Sequence, residues 1–377
     1  MTDAKITRPY RADQVGSYLR PDDLMIAREK RDRGEIDAKQ MRAIEDKFIR
    51  ELVRAQEDIG MPVVTDGEFR RASWNKDFLG GFDNVVEQPG NLKLYHRQPD
   101  GTNSTNQISG WAVTGKFKRS KPIQVDGFNF LKSITKVTPK TCITSPTLLH
   151  FRGGREAIDK KTYPKIEQFF DDVAAAYREE IKDLYAAGCR YVQLDDTNFA
   201  YLCDERFRNA VKEMGEDPTK LTDTYIKLVN DSLRDKPKDM LSAIHLCRGN
   251  SSTAGAAQGG YEVVGPQLFP RLDVDAFFLE YDDARAGGFD ALKDIRKGKT
   301  VVLGLITTKR ADLEKKDDLK RRIDEASKVV PMENLCLSPQ CGFASGASMR
   351  KRISIDDEMA KVKLLVETAR DVWGGQM

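Results

Sequence analysis

Eight short runs rich in β-branched and large apolar residues punctuate the chain, each ending in polar residues or glycine. They lie near Gln14–Ser17, Val63–Asp66, Thr141–Thr144, Tyr191–Asp195, Leu241–His245, Phe277–Glu280, Val301–Ile306 and Leu335–Ser338. All are clearly apolar except the first, around Val15, which is weak. Compact apolar runs of this kind suit strands buried on both faces of a parallel sheet. Between them the apolar positions recur with helical spacing. Residues 35–60 carry Ile36, Met41, Ile44, Phe48, Ile49, Leu52 and Val53 on one face and stop at Gly60. Residues 163–188, 219–235, 312–329 and 355–373 follow the same pattern. Charge runs such as Lys315–Asp318 and Lys320–Arg322 fall within these stretches and read as solvated helix faces. Strands alternating with helices over this length predict an α/β fold of the (β/α)8 barrel (TIM barrel) type. An open doubly wound sheet is the alternative, but no GxGxxG follows the first strand and no P-loop pattern occurs.

The segment from about 78 to 140 breaks the alternation. It is rich in Gly, Asn, Gln and Thr, with β-like pieces at Leu92–Tyr95 and Trp111–Val113. It reads as an insertion after the second strand, made of hairpins that cover or extend the barrel mouth. The expected organisation is one barrel domain over 1–377 with this insertion. Long insertions in compact domains are often functional, so this one is expected to shape the pocket of a second substrate.

Composition narrows the class without naming it. The chain has 62 Lys+Arg against 59 Asp+Glu, a net charge of +3. No field of one sign points to nucleic acid or membrane as a partner. No apolar run approaches the ~18 residues of a membrane span. The first residues lack the basic-then-apolar order of a secretory signal, so a cytoplasmic location is expected. Six cysteines in such a chain read as reduced thiols, metal ligands or catalytic groups rather than a disulfide framework.

Barrel chemistry gathers at the carboxyl ends of strands. Here those ends offer Ser17, Asp66 with Glu68, Asp195 with Asp196, His245 with Cys247, Glu280 and Cys341. Imidazole, thiolate and carboxylate are the donor types zinc accepts, and the i, i+2 spacing puts His245 and Cys247 on one side of an extended segment. Glu280 follows Phe277-Phe278-Leu279, where an unpaired carboxylate would be costly. Cys142, Cys189, Cys203 and Cys336 lie in or beside apolar stretches and are assigned to packing. Glu68 and Asp195 form either an anionic pocket for an ammonium group or structural ion pairs with arginines such as Arg70 and Arg71. His96 and His150 read as ordinary hydrogen-bonded histidines. Trp74, Phe78 and Phe151 line a pocket or belong to the core.

With these residues in view, the chain resembles the catalytic half of cobalamin-independent methionine synthase, most closely the shorter, single-barrel members of that superfamily. Ser338-Pro339-Gln340-Cys341-Gly342 is similar to the family's Asn-Pro-Asp-Cys-Gly, and His245-Leu246-Cys247 to its His-x-Cys. The resemblance implies that His245, Cys247, Glu280 and Cys341 are zinc ligands. Val15-Gly16-Ser17 resembles the Ile-Gly-Ser that binds the homocysteine carboxylate. Glu68 matches the Glu of a His-Gly-Glu motif and Asp195 the Asp of Gln-x-Asp-Glu, the two carboxylates that hold the homocysteine ammonium.

The implied activity is zinc-dependent methyl transfer to homocysteine from a methyltetrahydrofolate or methylcorrinoid, the latter free or protein-bound. The departures bear on the donor. Asp196-Thr197-Asn198 replaces the usual Glu-Pro-Ala, and the length leaves no room for the family's second, N-terminal barrel. The family's catalytic His, in an Asp-Ile-His context, has no counterpart in Gly304–Lys309. Alkyl transfer from another electrophile such as an epoxide, or a non-catalytic zinc and amino-acid-binding barrel, therefore stand as alternatives.

Overall fold

The computed structural model describes residues 8–97, 103–249, 256–346 and 353–375. Its strands are β1 (Val63–Val64), β2 (Asp83–Arg97), β3 (Asn103–Lys118), β4 (Thr138–Pro139), β5 (Thr141–Thr144), β6 (Tyr191–Asp196), β7 (Leu241–Leu246), β8 (Ala276–Glu280), β9 (Thr300–Ile306) and β10 (Leu335–Pro339). Among the described residues, β5 to β10 form one parallel sheet in sequence order. Its register sets Asp195 beside His245 and Glu280 beside Gly304. β1 pairs in parallel with β4, whose chain runs straight into β5, and Lys140 N donates to Val64 O at 2.9 Å.

The segment around Val15 joins the two ends of this array. Asp13 N donates to Leu337 O at 3.0 Å, and Tyr18 N donates to Gly67 O at 3.1 Å. Parallel neighbours thus follow one another round the circuit of a (β/α)8-type fold, with the first member held by isolated bridges at Ala12–Leu337 and Ser17–Gly67. The weakness of that run has a cause. Gly16 sits at φ +147°, and a Cβ there would meet Cys142 Sγ at 2.7 Å, so the chain crosses too close for a regular ladder.

The expected helices form with shorter ends. Residues 35–60 become Ala38–Ile59, started by an Asp37–Gln40 capping box and stopped by left-handed Gly60 at φ +92°. This helix buries Phe48, Ile49, Leu52 and Val53, each contributing about 1.5–3 kcal/mol by burial. The stretch from 163 starts only at Ile166, because Pro164 disfavours a helical Tyr163. The Tyr163 hydroxyl instead accepts from Phe117 N and donates to Asp172 Oδ2. The others are Pro218–Leu233, Lys316–Ser327 and Ile355–Trp373. Helices Asp22–Asp32, Val125–Ile134 and Glu205–Glu213 come in addition.

The insertion is one long antiparallel hairpin, β2 with β3, followed by helix Val125–Ile134. Both β-like pieces lie within its strands. It packs on the loop after β5, with Asn91 N donating to Arg152 O at 2.7 Å and Val113 bridging Ile158. Among the described residues, no helix is long and apolar enough to cross a membrane.

Candidate metal and amino-acid site

His245 lies near the carboxyl end of β7 and Cys247 just beyond it, where Cys247 N still donates to Asp196 O at 2.7 Å. Glu280 closes β8, and Cys341 follows β10 after Gln340 N donates to Ile306 O at 2.8 Å. One ligand atom from each of these four residues lies within 4.8 Å of all the others. The two thiol sulfurs are 3.5 Å apart. Two sulfurs each about 2.3 Å from a tetrahedral zinc would stand about 3.8 Å apart, so the spacing fits. Both ring nitrogens of His245 are buried without a hydrogen-bond partner. Burial, then Lys140, lower its pKa to about 3, so it presents a neutral ring with a lone pair. Cys247 beside it, and then burial, push the Cys341 thiol well up, and burial raises Glu280. Acidic groups that resist ionising together are what a divalent cation would reverse. Glu280 keeps protein partners as well: Arg248 N donates to Oε1 at 2.9 Å, and Arg285 Nη2 lies 3.5 Å from Oε2.

A second buried cluster adjoins it. Gly67 and Glu68 are both left-handed, at φ +66° and +59°. For a glutamate this conformation costs roughly 1–3 kcal/mol and is held here by the turn around it. It aims the Glu68 carboxylate inward, towards Asp195 and Cys142, whose ligand atoms also lie within 4.8 Å of one another. Glu68 Oε1 pairs with Arg71 at 3.2 Å, while Oε2 is buried without a partner. Glu68 thus uses one oxygen in an ion pair and leaves the other without a partner among the described residues. Arg70 turns away to Glu45 and Asp46. Asp195 accepts from Gln193 Nε2 at 2.6 Å, and burial together with Glu68 raises its pKa to about 8. Asp196 points to the other side of its strand, where it accepts from Thr147 Oγ1, Asn198 N and Phe199 N.

Both clusters meet at one cavity of about 130 Å3, lined by Ser17, Glu68, Asp195, His245, Cys247 and Cys341 among others. Glu280, behind His245 and Cys247, is not part of the lining. Ser17 is fixed by Phe343 N donating to its carbonyl at 2.9 Å, and a Cβ at Gly342 would collide with its Oγ. Trp74, Arg152, Thr197 and Tyr201 also line the cavity. Of these only Trp74 was a sequence candidate. Arg152 and Tyr201 follow no strand end directly and give no signal in composition or spacing. Cys142, assigned to packing, is buried but stands against the carboxylate pair. Phe78 and Phe151 are core. His150 is buried, with Nδ1 at 2.9 Å from Tyr225 Oη and a pKa lowered by burial to about 4; the side chain of His96 lies outside the described residues. Cys189, Cys203 and Cys336 are buried thiols, as expected. No described residue of the hairpin lines the cavity; the hairpin reaches it through Arg152, whose Nη1 donates to Ser109 O at 3.0 Å. The hairpin tip around Pro99–Gly101 lies outside the described residues.

Comparison with known proteins identifies the family. The family described as cobalamin-independent synthase, catalytic domain, matches residues 11–370. The uncharacterized protein YxjH of Bacillus subtilis is 41% identical over 99% of this chain and 97% of its own. A 5-methyltetrahydropteroyltriglutamate–homocysteine methyltransferase of Thermotoga petrophila is 22% identical over 87% of this chain but only 40% of its own length. Among solved structures, a candidate vitamin-B12-independent methionine synthase from Listeria monocytogenes superposes with a TM-score of 0.78 at 35% identity, covering 97% of this chain and 99% of its own. A B12-independent methionine synthase from Shewanella, solved with selenomethionine, gives 0.71 at 19% identity, covering 97% and 98%. The chain belongs to the cobalamin-independent methionine synthase family.

Proposed function

We propose that this protein is a zinc-dependent methyltransferase acting on the thiol of homocysteine, with His245, Cys247, Glu280 and Cys341 as zinc ligands. The observation that carries the reading is the shared cavity: the donor set, through His245, Cys247 and Cys341, and the carboxylate pair of Glu68 and Asp195 open on one space. A free thiol has a pKa near 8.5, and bound zinc supplies the charge that makes it a thiolate at neutral pH. Glu68 Oε2 and Asp195 take the ammonium of the amino acid, and Ser17 takes its carboxylate. Cys247, Cys341 and Glu280 together outweigh a divalent ion by one negative charge, which keeps an added sulfur electron-rich. Arg248 N–H and Arg285 keep the Glu280 carboxylate paired in any ligand arrangement. The methyl donor is a methyltetrahydrofolate or a methylcorrinoid, and the selenomethionine of the Shewanella relative is of the product class this reading expects. The six free cysteines suit a reducing, cytoplasmic compartment.

One observation favours a second reading. His245, the only imidazole among the described lining residues, is committed to the metal set. Thr308, in the run that lacks the family's catalytic His, is bound to Gln340, with Thr308 N donating to Oε1 at 2.6 Å. No imidazole among the described lining residues remains to protonate a folate nitrogen; an epoxide is the alternative electrophile, because release of ring strain drives the C–O bond open and water can protonate the departing oxygen. Incubating zinc-loaded protein and homocysteine with 5-methyltetrahydrofolate, methylcobalamin or a small epoxide, and weighing the products by mass spectrometry, separates these cases. Methionine from either methyl donor is the expected result. Product from the epoxide alone would establish the second reading, and no product from any donor would mark a non-catalytic binding barrel.

A further inference from the structure

The cavity contains a buried cation that the proposed thiol chemistry does not use. Arg152 is only 6% exposed, yet no carboxylate pairs with it among the described residues. Its Nη1 donates to Ser109 O at 3.0 Å, and its Nε is buried without a partner. The guanidinium lies over the Trp74 ring, 5.7 Å from the centroid, and both residues line the cavity with Tyr201. The stretches that follow Gly249 and Gly346, residues 250–255 and 347–352, contain no Asp or Glu that could supply the missing charge. Burying an arginine without a counter-ion is unfavourable, and its planar fork matches carboxylate, sulfonate or phosphate oxygens. Stacking on an indole orients that fork.

The position separates this cation from the amino-acid end of the cavity. Glu68 feels Arg71 and Arg20, and Asp195 feels Arg71 and Lys140. Arg152 instead feels Tyr201 and Cys247, and neither carboxylate of the pair is among the groups that act on it. The α-carboxylate of an amino acid is bonded to the same carbon as its ammonium, so it stays near Glu68 and Asp195. With Ser17 assigned to the amino-acid carboxylate, Arg152 is left for an anion of a different molecule.

We propose that Arg152, with Trp74 and Tyr201, is an anion-binding subsite for the second substrate, so that the donor of the transferred carbon presents a carboxylate, sulfonate or phosphate to this end of the cavity. The donor role rests on the thiol-transfer reading above; the anion site itself does not. In the transfer the S–C bond forms as the bond from that carbon to the leaving group breaks, and the leaving group departs with the electron pair. Arg152 positions the donor and takes no part in this exchange.

The test uses the full-length, zinc-loaded protein in buffer free of sulfate and phosphate. Benzenesulfonate and its neutral counterpart benzenesulfonamide are titrated calorimetrically, with and without saturating homocysteine. The expected result is at least tenfold tighter binding of the sulfonate, retained in the presence of homocysteine. The preference should vanish in Arg152→Gln and survive in part in Arg152→Lys, with zinc content and homocysteine affinity unchanged in both. Equal binding of the two probes by the wild type would overturn the subsite without recourse to any variant, and so would a preference that persists in a folded Arg152→Gln. Competition between homocysteine and the sulfonate would overturn the donor assignment, because Arg152 would then hold the amino-acid carboxylate. Absence of homocysteine binding altogether would sink the thiol-transfer reading, while the sulfonate titration still decides the anion site.

Discussion

Two sets of buried charge lie within this fold, and they differ in how completely they are satisfied. The first comprises Asp13, Lys140 and Tyr191. Lys140 Nζ pairs with Asp13 Oδ1 at 2.9 Å and also donates to Gln14 O, while Tyr191 donates to Asp13 Oδ2 at 2.7 Å. The ammonium also faces the rings of Tyr191 and Phe278. The second set lines the cavity, where Glu68 Oε2 and both nitrogens of His245 have no partner and Asp195 is held near neutrality. A closed network ties the weak first strand to its neighbours. An open one costs stability unless something else completes it, and that is the physical mark of a binding site.

The largest expected effect follows from the open set. The folded pKa of Asp195 is about 8 against an ordinary 3.8, so between these values the folded chain holds the extra proton. Stability of the ligand-free protein should therefore fall as pH rises from about 4 to about 8, by up to about 6 kcal/mol at ~1.4 kcal/mol per unit. Asp195→Asn should flatten this dependence in urea denaturation at pH 5 and pH 8. A flat profile in the wild type would mean that a cation already satisfies the pair.

Breaking the closed set should cost nearly as much. Lys140→Met leaves Asp13 buried and unpaired, and a loss of about 3–5 kcal/mol is expected in chemical denaturation. A loss below about 1 kcal/mol would show that this network does not hold the fold.

How far the sequence foretold this contrast depends on the kind of signal. Strand ends are legible, because apolar runs stop where polar residues begin; of the nine strand-end residues this singled out, seven lie at or behind the cavity, while Asp66 is not in its lining and Asp196 faces away. Helix limits are legible at Gly60 and at the last helix, read as 355–373, but not at Asp37, where the capping box starts the helix three residues later than the apolar pattern does. Contacts made by close approach are not. Cys142 reads as packing within Thr141–Thr144, and only the crossing of Gly16 brings it against Glu68 and Asp195. Arg152 is one arginine among many until the hairpin and Trp74 confine it. The hairpin length was hidden because its Gly and Asn content resembles a loop.

Removing a metal ligand should have a somewhat smaller effect. Cys341→Ser removes one of four donors, so about a quarter of the ~10–16 kcal/mol typical of a four-ligand zinc site should go, roughly 3 kcal/mol in zinc affinity. Metal-free stability should change little. Retention of full zinc content after dialysis against a chelator would remove Cys341 from the donor set.

Smaller still is the amino group of the substrate. The desamino analogue of homocysteine, 4-mercaptobutyrate, leaves Glu68 and Asp195 without their ion, and should bind about 1.5–3 kcal/mol more weakly by calorimetry. Equal affinity would return both carboxylates to the fold.

The central claim is that the donor set and the carboxylate pair serve one bound thiol. Zinc K-edge X-ray absorption on the zinc-loaded protein, before and after homocysteine is added, tests it most directly. The account predicts two sulfur neighbours from Cys247 and Cys341 in the free protein and a third when homocysteine is present. A sulfur count that stays at two under saturating homocysteine would contradict it.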